Sequence, residues 1–139
     1  MIEIIAGAKG KGKTKVLIAK VNEDIKFTSG TIVYLDKNTK HMYELNNKIR
    51  MINVQDYNLS DTNMFLGFIS GIVSQDHDLD RVYLDSFLTI GHITISNFES
   101  AIIKLQEISA NFKVNFVLSV SMSKEELPES IQSLVTVSL

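Results

Sequence analysis

The chain has no cysteine, which excludes disulfides, thiolate nucleophiles and cysteine-based metal sites. It has no tryptophan and a single proline, Pro128, so little interrupts regular elements until near the C-terminal end. Arginine is scarce as well. Of 14 basic residues only Arg50 and Arg81 are arginine, a poor supply for clamping a second phosphorylated substrate. No apolar run approaches the length of a membrane span, and the longest, around Met64 to Val73, contains Gly67, Ser70 and Gly71. A net charge of −2 gives no reason to expect nucleic acid or anionic lipid as a partner. Without a basic-then-apolar leader, the expectation is a cytoplasmic protein with no membrane insertion.

What remains is an ordinary globular composition, with 45% hydrophobic and 22% charged residues among 139. That length predicts one domain, 1–139, able to hide about two-thirds of its unfolded surface. Apolar runs alternate with helical patterns from end to end, which predicts an α/β fold: a three-layer parallel β-sheet flanked by helices. Strands are expected at 2–6, 31–35, 49–54, 81–85, 114–120 and 134–137. Helices are expected over about 13–27, from Ser60 or Asp61 onward, and from a Ser96–Glu99 capping box. Ser123 and Glu126 form a second capping pattern.

Residues 36–48 are polar, with a short helical turn expected around His41–Leu45. His41, a lone histidine there, reads as a solvated surface residue. Asp76-His77-Asp78 reads as an exposed turn, because adjacent residues on a loop rarely converge on a metal.

The informative stretch is Gly7-Ala8-Lys9-Gly10-Lys11-Gly12-Lys13-Thr14. It meets the phosphate-loop pattern G-x-x-x-x-G-K-[ST] at every specified position, between an expected strand and an expected helix. Chance would give such a match in a chain of this length roughly 0.5% of the time. The glycines let backbone N–H groups approach phosphate oxygens with no Cβ in the way. The helix that follows turns its positive end toward the same phosphates. Lys13 would reach the β- and γ-phosphates, and the Thr14 hydroxyl would ligate Mg²⁺.

With these residues the chain resembles the P-loop NTPase superfamily (Walker A), RecA-like branch. It is also similar to a group of small bacterial P-loop proteins that sometimes carry a twitching motility ATPase label. The resemblance implies a P-loop NTPase fold, ATP and Mg²⁺ as cofactors, and a Walker B aspartate at a strand end. Two strands end in aspartate, Ile32-Val33-Tyr34-Leu35-Asp36 and Val82-Tyr83-Leu84-Asp85. Strand four fits the Walker B place, which makes Asp85 the second metal residue beside Thr14. Asp36 then lies at the same sheet edge, positioned to orient a water or contact the metal's outer shell. Lys13, Asp85 and Asp36 are thus the candidate catalytic residues, and residues 7–14 the nucleotide-binding ones.

The resemblance also implies a polar γ-phosphate sensor near Ser119 and Ser121. Lys9 and Lys11 would add attraction for a triphosphate, Lys9 as a candidate charge-stabilising finger across a dimer. In one respect the chain departs from the family's active ATPases: Ser86, not glutamate, follows Asp85. Losing that glutamate lowers turnover more than binding.

The reading is therefore a Mg²⁺-dependent ATP-binding P-loop protein that hydrolyses ATP slowly. The alternative is a non-hydrolysing, nucleotide-dependent switch or regulatory subunit that needs a partner. No N-K-x-D pattern supports guanine recognition, and no lid segment supports a small-molecule kinase. A homo-oligomer or a protein partner is expected from the RecA-like resemblance; nucleic acid is not indicated.

Overall fold

In the computed structural model, which describes all 139 residues, strands and helices alternate along the chain. The order is β1 (Ile2–Ala6), α1 (Lys13–Asp24), β2 (Thr31–Asp36), β3 (Arg50–Asn53), α2 (Thr62–Gln75), β4 (Leu79–Leu84), α3 (Phe87–Ile90), α4 (Phe98–Phe112), β5 (Asn115–Val120), α5 (Glu129–Gln132) and β6 (Val135–Ser138). The six strands form one sheet in the order β3-β2-β4-β5-β1-β6, and every pairing is parallel. This is an α/β fold of the P-loop type. All strands therefore end at the same edge, with β5 between β1 and β4.

The central strands are apolar on both sides because helices cover both faces. Alternation of side chains then sorts them. Ile5, Ile32, Tyr34, Tyr83 and Val117 share a ten-residue cluster with Leu17, Ile18 and Val21 of α1. Ile4, Val33, Leu35, Val82, Leu84 and Phe116 belong to a 26-residue cluster with Phe65 and Ile69 of α2 and Ala101 and Leu105 of α4. Extending the period of two past the apolar residues puts Asp36, Asp85 and Ser119 on the α1 side. The fold thus gathers the strand-end polar residues beneath the loop that opens α1.

Several expectations are corrected. The Ser96–Glu99 capping box does not form: Asn97 occupies the cap position of α4, and its Oδ1 accepts the Thr94 N–H at 2.7 Å. Ser96 bonds the Thr94 hydroxyl instead, and Glu99 accepts from Ser130 at 3.0 Å. Asp61, one of the two residues expected to open α2, does cap it, accepting the Met64 N–H at 2.8 Å.

α1 stops at Asp24 and runs out in turns through Phe27, which is 80% exposed and so has no packing to extend the helix. β3 ends at Asn53, whose side chain accepts the Gln55 N–H and turns the chain into a 3₁₀ turn, Val54–Tyr57. The short helix α3, absent from the sequence reading, follows Ser86, which is left-handed (φ 59°), and buries Phe87 and Ile90. The Ser123–Glu126 capping pattern does form: Glu126 accepts from both the N–H and the hydroxyl of Ser123, at the start of a 3₁₀ turn, Lys124–Glu126.

In the β2–β3 connection, Met42–Glu44 forms one 3₁₀ turn, while Leu45 and Ile49 enter the α1-side core. Asn22 of α1 holds this connection from both sides. Its amide donates to the Glu44 carbonyl at 2.9 Å and its oxygen accepts the Asn46 N–H at 2.8 Å. No helix is long and apolar enough to cross a membrane.

Candidate functional site

Between β1 and α1 the chain turns through Gly10 (φ +87°) and Gly12 (φ +90°), with no atom within 4 Å of a Cβ at either. That left-handed backbone, rather than crowding, is what calls for glycine. Gly7 anchors the start of the loop, its N–H donating to the Val120 carbonyl at 3.3 Å. Gly12 supplies no side-chain cap to α1, so the helix's leading N–H groups are left for an anion or water.

Lys13, the first residue of α1, is 7% exposed, and its ammonium donates to the Ala8 carbonyl at 3.1 Å. Burial pushes its pKa down, while Asp85 pulls it back up. One hydrogen bond leaves two of its three donors for phosphate oxygens.

Asp85 is 2% exposed and lies just past the end of β4. Its Oδ1 accepts from Ser119 at 2.7 Å and from Thr14 at 3.3 Å, and its Oδ2 accepts from the Tyr34 hydroxyl at 2.8 Å. Burial, then the Asp85 charge, raise the Tyr34 pKa, which keeps that phenol a donor. Ser119 in turn accepts the Ser86 N–H at 2.8 Å, pinning the turn that follows β4. Thr14 and Asp85 thus meet across 71 residues of chain.

Asp36, at the end of β2, is 3% exposed but bonded differently, accepting only the neighbouring Lys37 N–H, at 2.7 Å. Burial, then the nearby Asp85 charge, push its pKa up to about 6.

A cleft of about 290 Å³ opens over these groups. Lys9, Gly10, Gly12, Lys13 and Thr14 line it from the loop, Asp85, Ser86 and Ser119 from the strand ends. Lys37, His41 and Glu44 line it from the β2–β3 connection. Gly7, Ala8, Lys11 and Asp36 are not in its wall. His41 is partly exposed, as the surface reading expects, and its connection folds back over α1 and brings it to the cleft. Its Nδ1 lies 2.5 Å from the Glu44 carboxylate. Sequence reasoning missed Tyr34 and Glu44, and did not place His41 at the cleft. A tyrosine in a strand covered on both faces is the one available signal, because a buried hydroxyl needs a partner.

No three His, Asp or Glu side chains converge as a metal cage. The hydroxyl of Thr14 and the carboxylate of Asp85 instead offer two hard oxygens 3.3 Å apart. That donor set suits Mg²⁺ when phosphates and waters complete its shell. The Asp76–Asp78 segment is a turn, in which Asp76 accepts from Thr31 at 2.6 Å and from the Asp78 N–H at 2.9 Å. A larger cleft of about 510 Å³ lies between the starts of α2 and α4, lined by Asp61, Thr62, His92 and Asn97 among others. Its polar groups bond one another: Thr62 donates to the Gly91 and His92 carbonyls and accepts from Asn97.

No protein-family model and no curated protein matches the chain. Among solved structures, it is similar in fold to the flagellar accessory protein FlaH from Methanocaldococcus jannaschii, with a TM-score of 0.58 at 16% identity. The match covers 96% of this chain and 65% of that one, so the chain spans about two-thirds of FlaH.

Proposed function

We propose that the 139 residues act as one nucleotide-binding unit that takes ATP with Mg²⁺ and hydrolyses it slowly. The observation that carries this is the meeting of Lys13, Thr14 and Asp85. A buried lysine and a glycine loop with free helix N–H groups lie beside a carboxylate 3.3 Å from the threonine hydroxyl. Loop N–H groups and Lys13 would hold the phosphates, while Thr14 and Asp85 would hold Mg²⁺, the latter directly or through water. Bound there, the ion supplies charge neutralisation as the γ-phosphoryl leaves. Asp36 would act from below the cleft wall through its charge and through water. Lys9 and Lys11 would add to the field that attracts a triphosphate.

A second reading, a nucleotide-dependent switch completed by another copy or a partner protein, rests on Ser86. That residue offers no carboxylate next to Asp85 to orient water.

Measuring ATP binding and phosphate release with and without Mg²⁺, in wild type, Lys13→Ala and Asp85→Ala, separates these readings. Steady release lost in both variants is expected for the ATPase. Binding without release, weakened about a hundredfold or more by Lys13→Ala, identifies the switch. No binding by wild type would overturn both.

A further inference from the structure

We propose that His41, oriented by Glu44, is the general base that activates the attacking water, in place of the carboxylate missing at Ser86; this rests on the nucleotide-binding reading above. Three observations support it. His41 and Glu44 line the same cleft as Lys13, Thr14 and Asp85, although they belong to a different part of the chain. The ring is held: Nδ1 is 2.5 Å from the Glu44 Oε2, and Glu44 is itself fixed to α1 by the bond from the Asn22 amide to its carbonyl. A carboxylate only accepts, so in the neutral ring Nδ1 carries the hydrogen and Nε2 is left as the acceptor.

This is the arrangement general-base chemistry asks for: a proton acceptor whose tautomer a third group fixes. The other candidates serve less well. Asp36 is bonded to its own backbone neighbour and stands outside the cleft wall. Ser119 is committed to Asp85 and to the Ser86 N–H.

In the step that follows, the water oxygen forms a bond to the γ-phosphorus. The bond from that phosphorus to the β–γ bridging oxygen breaks, and its electron pair leaves with ADP. The water proton passes to His41 Nε2 and from there to released phosphate or solvent. Lys13 and Lys37, both in the cleft wall, balance the charge that builds on the phosphoryl oxygens.

The test compares wild type, His41→Gln, His41→Ala and Glu44→Gln by ATP affinity and single-turnover phosphate release. His41→Gln should bind ATP within about threefold of wild type while releasing phosphate about a hundredfold more slowly. Glu44→Gln, which keeps the ring, should lose about tenfold. Added imidazole should restore part of the His41→Ala rate, which a purely structural role would not allow. Independently of turnover, the His41 ring proton resonance of wild type should move when Mg²⁺ and a non-hydrolysable ATP analogue are added. In Lys13→Ala it should stay in place. The resonance and Glu44→Gln keep the test open if the His41 variants fold poorly.

Release by His41→Gln within about threefold of wild type would overturn the proposal and leave nucleotide binding standing. So would absence of imidazole rescue, an unmoved resonance with nucleotide bound, or binding by wild type with no release. Failure of wild type to bind ATP would instead remove the reading on which it rests.

Discussion

The ends of β2 and β4 are neighbours in the sheet and identical in sequence over four residues, Val33-Tyr34-Leu35-Asp36 against Val82-Tyr83-Leu84-Asp85. Both aspartates are buried, both point to the α1 side, and both follow a buried tyrosine two residues earlier. Their surroundings differ. Asp85 accepts from Tyr34, Ser119 and Thr14, three side chains from three other elements. Asp36 accepts from the next residue's backbone and feels the Asp85 charge. A carboxylate buried with a like charge nearby, as Asp36 is, is pushed toward its neutral form. The difference lies in what the neighbouring strands bring: β2 and β5 place Tyr34 and Ser119 beside Asp85, whereas Asp36, between β3 and β4, bonds no side chain of either.

The largest expected effect sharpens that comparison directly. Asp85→Asn should slow phosphate release by about 10²–10³-fold, the cost of removing one preorganised charge from the transition-state site. It should also abolish the strengthening of ATP binding by Mg²⁺, read by titration with and without the ion. Asp36→Asn should leave that strengthening intact. If the two substitutions reduced Mg²⁺ coupling equally, the assignment of the metal residue to β4 would fail.

Next comes the donor that β2 lends to β4. Tyr34→Phe keeps the ring, which stacks on Tyr83 with centroids 6.0 Å apart, and removes only the hydroxyl bonded to Asp85. A hydrogen bond to a buried charge contributes roughly 1.5–3 kcal/mol. Thermal denaturation should show a melting point lower by several degrees. An unchanged melting point would mean that Asp85 does not depend on β2 for its third donor.

Much of this site was legible in the sequence, and the reason is chemical. Gly10, Gly12, Lys13 and Thr14 are local in the chain, so spacing alone defines their geometry. Asp36 and Asp85 follow from the rule that strands of a parallel sheet end at one edge. What could not be read is which strand lies beside which, and hence that Tyr34 of β2 bonds Asp85 of β4. His41 was hidden for another reason. The 37–48 segment has no hydrophobic period, and its course is set by Leu45, Ile49 and the Asn22 clamp, contacts distant in sequence. The Ser96–Glu99 pattern failed because Asn97 had a better use for its own side chain, joining Thr94 to Thr62 of α2. Capping signals compete locally, and tertiary contacts decide among them.

The smallest effect concerns Asp36 alone, and its sign is fixed by linkage. In the folded protein its pKa is raised from 3.8 to about 6. Between those values the folded state holds a proton that the unfolded chain has released, so stability falls as pH rises from about 4 to 6. Above about pH 6 the buried charge is fully present and its cost is constant. An asparagine side chain in its place would keep an oxygen for the Lys37 N–H without carrying a charge. Asp36→Asn should therefore be more stable than wild type at about pH 7–8, by roughly 1–2 kcal/mol. Below about pH 4, where wild-type Asp36 is neutral in both states, the gain should vanish. Denaturant melts at about pH 4 and pH 8 give this difference. A variant less stable than wild type at the higher pH would mean that Asp36 is held as an ion, and the two strand ends would then be alike. A more than roughly tenfold loss of phosphate release in the same variant would instead put Asp36 at the reacting water, a role here given to His41.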